Sequence, residues 1–338
     1  MSQAPSEVYV RQLLPKKYGY PLFIPAPHNN LPREYRNRGT SIGDVGIIKP
    51  NGSFSFVFSI CTPAGSPVNC FGVPQGFEPL VLGPEGIEVV DDRHSVGSDV
   101  VSTSITRKEI AAEIAVKENK VLNIPVGVSA GYSLRSSSTE GAILTLPEGA
   151  ASLDLYNIAG FRQYAMENAI LWYQFVNVTL GREASNGSLY LVTGCDKSMT
   201  WGVASISCAS GTDALSLKFT AAEVAEASAT RGYTWETYCP ATVRIGPNPD
   251  PERLQNQCVF LRGFKVMLQE GLMAKVRGTV KVTSVLDAKA DGIIPAWGKG
   301  GWSATGAYAC RGCNFGRHSR CYRDVSSIGC DQQIYTTL

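Results

Sequence analysis

Histidine is scarce in this chain: His28, His94 and His318 are the only three among 338 residues. A nucleophile–base pair needs an imidazole or another base held within reach of a hydroxyl or thiol. These three fall in a proline-rich arm, a loop and a tail, with no nucleophile elbow beside them. Charge of one sign is lacking too. Lys+Arg 31 against Asp+Glu 29 leaves a net charge of +2, which argues against a nucleic-acid partner, since such binding rests on clustered basic charge. No window approaches 18 uninterrupted apolar residues, so no transmembrane helix is expected. Neither GxxxxGK[ST] nor a strand-anchored GxGxxG occurs, and no nucleotide cofactor is expected. The run Gly298-Lys299-Gly300-Gly301 could hold an anion but reads equally as a flexible linker. Met1–Glu7 lacks the basic start and apolar run of a secretory signal, so a cytoplasmic protein is expected.

What the chain does have is apolar mass. Hydrophobic residues make up 44% and charged residues 18%, a balance that folds rather than staying disordered. Pro21, Pro25, Pro27 and Pro32 forbid a long helix near the start, so residues 1–50 read largely as an irregular arm laid over the core. From Gly43 to Phe58 the pattern is strand, Asn51-Gly52 turn, strand, because Asn-Gly supplies the positive φ of a tight hairpin. Five prolines make 62–86 a surface loop. Segment 100–120 fits a short helix or two strands, and 121–146 alternates as strands do. Over 152–178, Leu155, Ile158, Phe161, Tyr164, Ala165, Asn168, Leu171, Trp172 and Phe175 recur at three and four, which predicts one long helix. Strands are expected at 188–194, 201–208, 214–219, 257–268 and 276–285, with a short helix at 220–230. The fold class is α+β: a mostly antiparallel twisted sheet with one long packed helix, plus a Cys-rich C-terminal appendage. The expected divisions are a domain over 1–286, a Gly/Pro linker over 287–301 and a Cys-rich basic tail over 302–338.

The tail carries the one metal-like spacing. Cys310-x2-Cys313, with Cys321 and either Cys330 or His318, offers the four ligands of a tetrahedral structural zinc site. Free thiols or two disulfides fit the same residues, and Arg311, Arg317, Arg320 and Arg323 suit an acidic partner or plain solvent. Cys61, Cys70, Cys195, Cys208, Cys239 and Cys258 are scattered, mostly in apolar contexts where Cys behaves as a small hydrophobe. Paired carboxylates are limited to Asp91-Asp92 and to Glu183 with Asp196, and adjacent loop acids are usually solvated. Arg182, Glu183, Asp196, Lys197 and Trp201 form a candidate ligand or partner site, since aromatic anchors with convergent charge mark such surfaces. The alternative is a tight turn with Trp201 in the core.

The segment Gly181-Arg182-Glu183-Ala184-Ser185-Asn186-Gly187-Ser188-Leu189-Tyr190-Leu191-Val192-Thr193-Gly194-Cys195-Asp196-Lys197, followed by Trp201-Gly202-Val203-Ala204-Ser205, resembles a hallmark of a large protein family of mushroom-forming fungi with no established activity. Pro25–Arg36, Ser41–Gly46, Glu140–Pro147, Trp172–Asn177 and Asn256–Phe264 resemble the same family, so the likeness spans roughly residues 15–268. That family's lineage-specific expansions, sometimes beside modules of intracellular immune sensors, imply recognition or defence rather than metabolism. A weaker similarity is to the pore-forming domain of gasdermins: an arm, a polar-alternating β stretch, and a strand like Leu189-Tyr190-Leu191-Val192-Thr193. It transfers no residue roles.

The expected function is a non-enzymatic intracellular recognition or defence module that binds a protein partner. The first alternative is membrane perforation by β-hairpin insertion: Lys120–Leu146 is long enough for two strands of the ~9–11 residues that one crossing needs. The second is an enzyme of unrecognised class using carboxylate or Cys chemistry. No cofactor is expected apart from the tail zinc.

Overall fold

The prolines near the start shape helices rather than abolish them. Pro5 sits in the first turn of α1 (Pro5–Leu13), where its missing N–H costs nothing. A 3-10 turn at Leu14–Lys16, a two-residue strand, β1 (Tyr20–Pro21), and a short α2 (Arg33–Arg38) follow before the first hairpin. The arm is therefore more ordered than its composition predicts. The computed structural model describes residues 3–109, 132–136, 139–207, 217–222, 232–237, 241–247, 254–268 and 280–284. The linker 287–301, the tail cysteines and most of the helix expected at 220–230 lie outside these.

The Asn-Gly hairpin forms as β2 (Asp44–Ile48) and β3 (Phe54–Ser59), with Gly52 at φ 81°. It joins the largest sheet, whose spine is β10 (Leu189–Ser198) against β15 (Gln257–Leu268). β10 takes β2 along its first half and β9 (Ala150–Leu155) along its second. β15 takes β1 near its start and β16 (Val280–Ser284) at its end, and β4 (Ile87–His94) pairs with the far edge of β9. Every named strand pair is antiparallel.

The long helix starts later than its periodicity predicts. Residues 150–155 are strand β9, held between β4 and β10, and the helix α3 runs Ile158–Gln174 into a π-turn at Phe175–Thr179. Asn157 sets the boundary, its Oδ1 accepting from the Gly160 N–H at 3.0 Å, a standard N-cap. The buried stripe is Phe161, Ala165, Ala169, Trp172, Tyr173 and Val176, packed on Val45, Phe58, Leu191 and Phe264 of the sheet. Ile158 and Leu171, expected inside, are exposed. Each fully buried large side chain here is worth roughly 1.5–3 kcal/mol. On the sheet's other face, Leu22, Leu31 and Tyr35 of the N-terminal segment cover Phe56, Tyr190 and Leu261.

Two further sheets lie beyond. One has the order β14 (Ala241–Gly246), β11 (Trp201–Ser207), β8 (Glu140–Leu146), β5 (Ser98–Val101). The other has the order β13 (Gly232–Thr237), β12 (Leu217–Ala222), β7 (Tyr132–Ser136), β6 (Ile105–Glu109). Each strand of the first is followed or preceded in sequence by the matching strand of the second, so the two have one lateral order. They are a single four-stranded ribbon doubled back on itself. A turn at Ser102–Ile105 makes the fold between β5 and β6, the Ile105 N–H reaching the Ser102 carbonyl at 3.1 Å. Trp235 Nε1 donates to the Arg244 carbonyl at 3.3 Å. Ile105, Ile143, Ala204, Ile206, Leu217 and Phe219 form the core between the layers. Segment 100–120 thus resolves into strands for its described part, and the one expected sheet becomes a sheet plus this ribbon.

Candidate functional site

Alternation along β10 decides what the Cys195-Asp196-Lys197 triplet can do. Successive side chains point to opposite faces, so Asp196 and Lys197, adjacent in sequence, serve different neighbourhoods. All three are buried.

Asp196 is fully buried and has two side-chain partners. Arg262 Nη1 on β15 donates to Oδ1 at 2.6 Å, and His94 Nε2 at the end of β4 lies 2.8 Å from Oδ2. Arg262 also grips Asp154 of β9 with its fork, Nε to Oδ1 at 2.5 Å and Nη2 to Oδ2 at 2.9 Å, while Nη1 reaches the Tyr18 carbonyl at 2.8 Å. Burial opposes the guanidinium charge, but Asp196 and Asp154 outweigh it and raise its pKa. Bidentate pairing of this kind demands Arg rather than Lys. Gly194 makes room: a Cβ there would collide with Asp154 Oδ1 and press on Arg262 Nε. His94 is held between rings, stacked on Phe260 at 5.7 Å and edge-on to Tyr18 at 4.8 Å. Four strands and the N-terminal segment thus meet at one ionic cluster.

Lys197 faces the arm. Its Nζ donates to the Arg38 carbonyl and to Ser41 Oγ, both at 2.8 Å. Arg38 Nη2 in turn binds Asp44 Oδ1 at 2.6 Å, and the Ser41 N–H binds Oδ2 at 2.9 Å. Burial pushes the Asp44 carboxyl up even against the Arg38 charge.

Of the other candidate residues, Trp201 is buried and donates from Nε1 to Gln257 Oε1 at 3.0 Å. Arg182 is half-buried, donating to the Phe56 carbonyl at 2.9 Å with its guanidinium 4.6 Å from the Phe71 ring centroid; burial lowers its pKa. Glu183 is exposed, on a left-handed backbone at φ 49°. Arg182, Glu183, Asp196, Lys197 and Trp201 are not brought together into one pocket. Glu183 does not join Asp196, and Asp91 and Asp92 are exposed on β4.

Sequence reasoning missed His94, Asp154 and Arg262 as partners of Asp196. The signal was available in Arg262 itself, the sole charge between Val259 and Phe264, because a buried guanidinium requires carboxylates. Chemically the cluster is an electrostatic clamp: each contacting charge is paired, and the His94 ring is flanked by Tyr18 and Phe260 rather than by a nucleophile. Among the described residues no group of three or more His, Cys, Asp or Glu converges as a metal site. Cys310, Cys313, Cys321, Cys330 and His318 lie outside those residues. No protein-family model, curated protein or solved structure matches this chain.

Proposed function

We propose that the protein is a defence-type module that perforates membranes by unfolding its doubled-back ribbon into transmembrane β-hairpins. The observation that carries this reading is the shared lateral order of the two four-stranded sheets. Straightened, β5 with β6, β7 with β8, β11 with β12 and β13 with β14 would each join nine to thirteen strand residues, against the ~9–11 residues that a crossing strand needs. The apolar residues now sandwiched between the layers, such as Ile206, Leu217 and Phe219, would become the lipid-facing set. Neighbouring strands alternate in direction, so the outer strands β6 and β13 run opposite ways. A head-to-tail repeat of copies would therefore keep every new pairing antiparallel, and closure would leave no edge.

Dye release from neutral and anionic liposomes, before and after limited proteolysis within 287–301, tests the proposal. Leakage in at least one condition is expected; silence in all of them overturns it. That silence would leave a second reading, a non-enzymatic module binding a protein partner. Its support is the outer side of α3, where Met166, Ile170 and Leu171 are exposed beside Ile158 and Val178. Specific metabolite turnover abolished by Glu183→Ala or Asp196→Ala would argue for an enzyme against both. From the tail spacing we also propose one structural zinc held by Cys310, Cys313, Cys321 and either Cys330 or His318. Protein purified under reducing conditions should carry about one zinc, released as pH falls and the thiolates protonate.

A further inference from the structure

Beside Asp196, strands β10 and β15 each bury a thiol that the ionic cluster does not use. Cys195 stands opposite Leu261, and Cys258 stands opposite Lys197. Cys195 and Lys197 share one face of β10, which makes Cys258 the diagonal neighbour of Cys195 across the β10–β15 ladder. Both are fully buried in one apolar cluster, close enough that each thiol shifts the ionisation of the other. Cys195 Sγ also lies 3.6 Å from the Thr40 carbonyl, and Cys258 Sγ 3.3 Å from the Phe260 carbonyl. The roof over them is the arm: the Cys258 N–H donates to the Pro25 carbonyl at 3.1 Å, and Leu31 and Tyr35 pack in the same cluster.

We propose that Cys195 and Cys258 are a reversible dithiol–disulfide pair, oxidised by peroxide, that staples β10 to β15 beneath the 25–40 segment. The chemistry divides between them. Interaction with the Cys258 thiol holds the Cys195 thiol down against its burial, helped by the Lys197 and Arg262 charges, whereas the Cys258 thiol is pushed up. Cys195 is thus the attacking thiolate and Cys258 the resolving thiol. Cys195 sulfur attacks one peroxide oxygen, the O–O bond breaks, and a sulfenic acid forms with release of water. Cys258 sulfur then attacks that sulfenic sulfur, expelling a second water and forming the S–S bond. Two thiols lose two electrons in all, and one peroxide gains them. Because both sulfurs are covered, the reaction waits on the arm lifting, so it should be slower than oxidation of exposed Cys70.

The test treats the reduced full chain with hydrogen peroxide, blocks remaining thiols with N-ethylmaleimide in denaturant, and maps peptides without reduction. A Cys195–Cys258 linked peptide pair, lost on adding dithiothreitol, is expected. In Cys258→Ala, dimedone should trap the sulfenic acid at Cys195. Complete maleimide labelling of Cys195 and Cys258 after peroxide exposure prolonged far beyond that needed to oxidise Cys70 would overturn the proposal, as would a link from Cys195 to any other cysteine. The wild-type arm decides the matter even where the variant fails to fold.

Discussion

At the residue scale, Arg262 is the side chain whose loss the molecule can least absorb. Removing it leaves the fully buried Asp196 with His94 alone and loosens Asp154. An uncompensated buried charge costs about 3–5 kcal/mol, so Arg262→Ala should lose that much in urea unfolding. Arg262→Lys should recover only part of it, since a single ammonium cannot span both carboxylates and the Tyr18 carbonyl. The cysteines give a second residue-scale expectation. Burial first, then the Asp44 charge, pushes the Cys61 thiol up to about 12, despite Arg38. Its thiolate is therefore scarce at neutral pH and grows about tenfold per pH unit. Alkylation of Cys61 should climb from pH 7 to 9 without a plateau, well behind Cys70, as followed by peptide mass mapping. A plateau near pH 9 would contradict the burial argument. Asp196 itself was visible in the sequence as a charge in a strand, but its partners were not. They come from β4, β9 and β15, and no spacing rule links residues 94, 154, 196 and 262.

At the scale of elements, the fold-back of the ribbon rests on one close approach. A Cβ at Gly202 of β11 would stand 2.6 Å from the Phe219 ring of β12 and 3.1 Å from Trp235 Nε1 of β13. Gly202→Val should prise the layers apart at a cost of about 1–3 kcal/mol. On the perforation reading it should also speed dye release, a gain of function that simple destabilisation elsewhere would not produce. Asn157→Ala provides that control, since loss of the α3 cap should cost ~1 kcal/mol with no change in leakage. Elements with local signals were legible in advance: the Asn51-Gly52 hairpin, strands β10, β11 and β15, and the existence of α3. The start of α3 was not. Leu153 and Leu155 fit the helical stripe as readily as strand alternation, and only pairing with β4 and β10 settles 150–155 as β9. The doubled ribbon was invisible for a related reason: register between β7 and β12 joins residues 83 to 87 apart, and sequence alternation names strands without saying which sheet holds them.

At the scale of the whole molecule, the apolar clusters divide the work. One seats α3 on the main sheet, one seats the arm on its other face, and one fills the ribbon. The remaining cluster is shared, and α1 is its keystone. Tyr9 and Leu13 enter it beside Leu144, Trp201 and Val203, while Val10 belongs to the cluster of the main sheet. Arg11 pairs with Glu140 of β8 at 2.7 Å, and Ser205 Oγ of β11 donates to the Pro5 carbonyl at 2.7 Å. The first nine-residue helix is thus a strap buckled across the two inner strands of the ribbon. Whatever pulls on the first dozen residues, be it a protease, a fused domain or a partner gripping that end, pulls directly on β8 and β11. On the perforation reading, the segment that looks most like a loose arm in the sequence would be the cord that releases the ribbon.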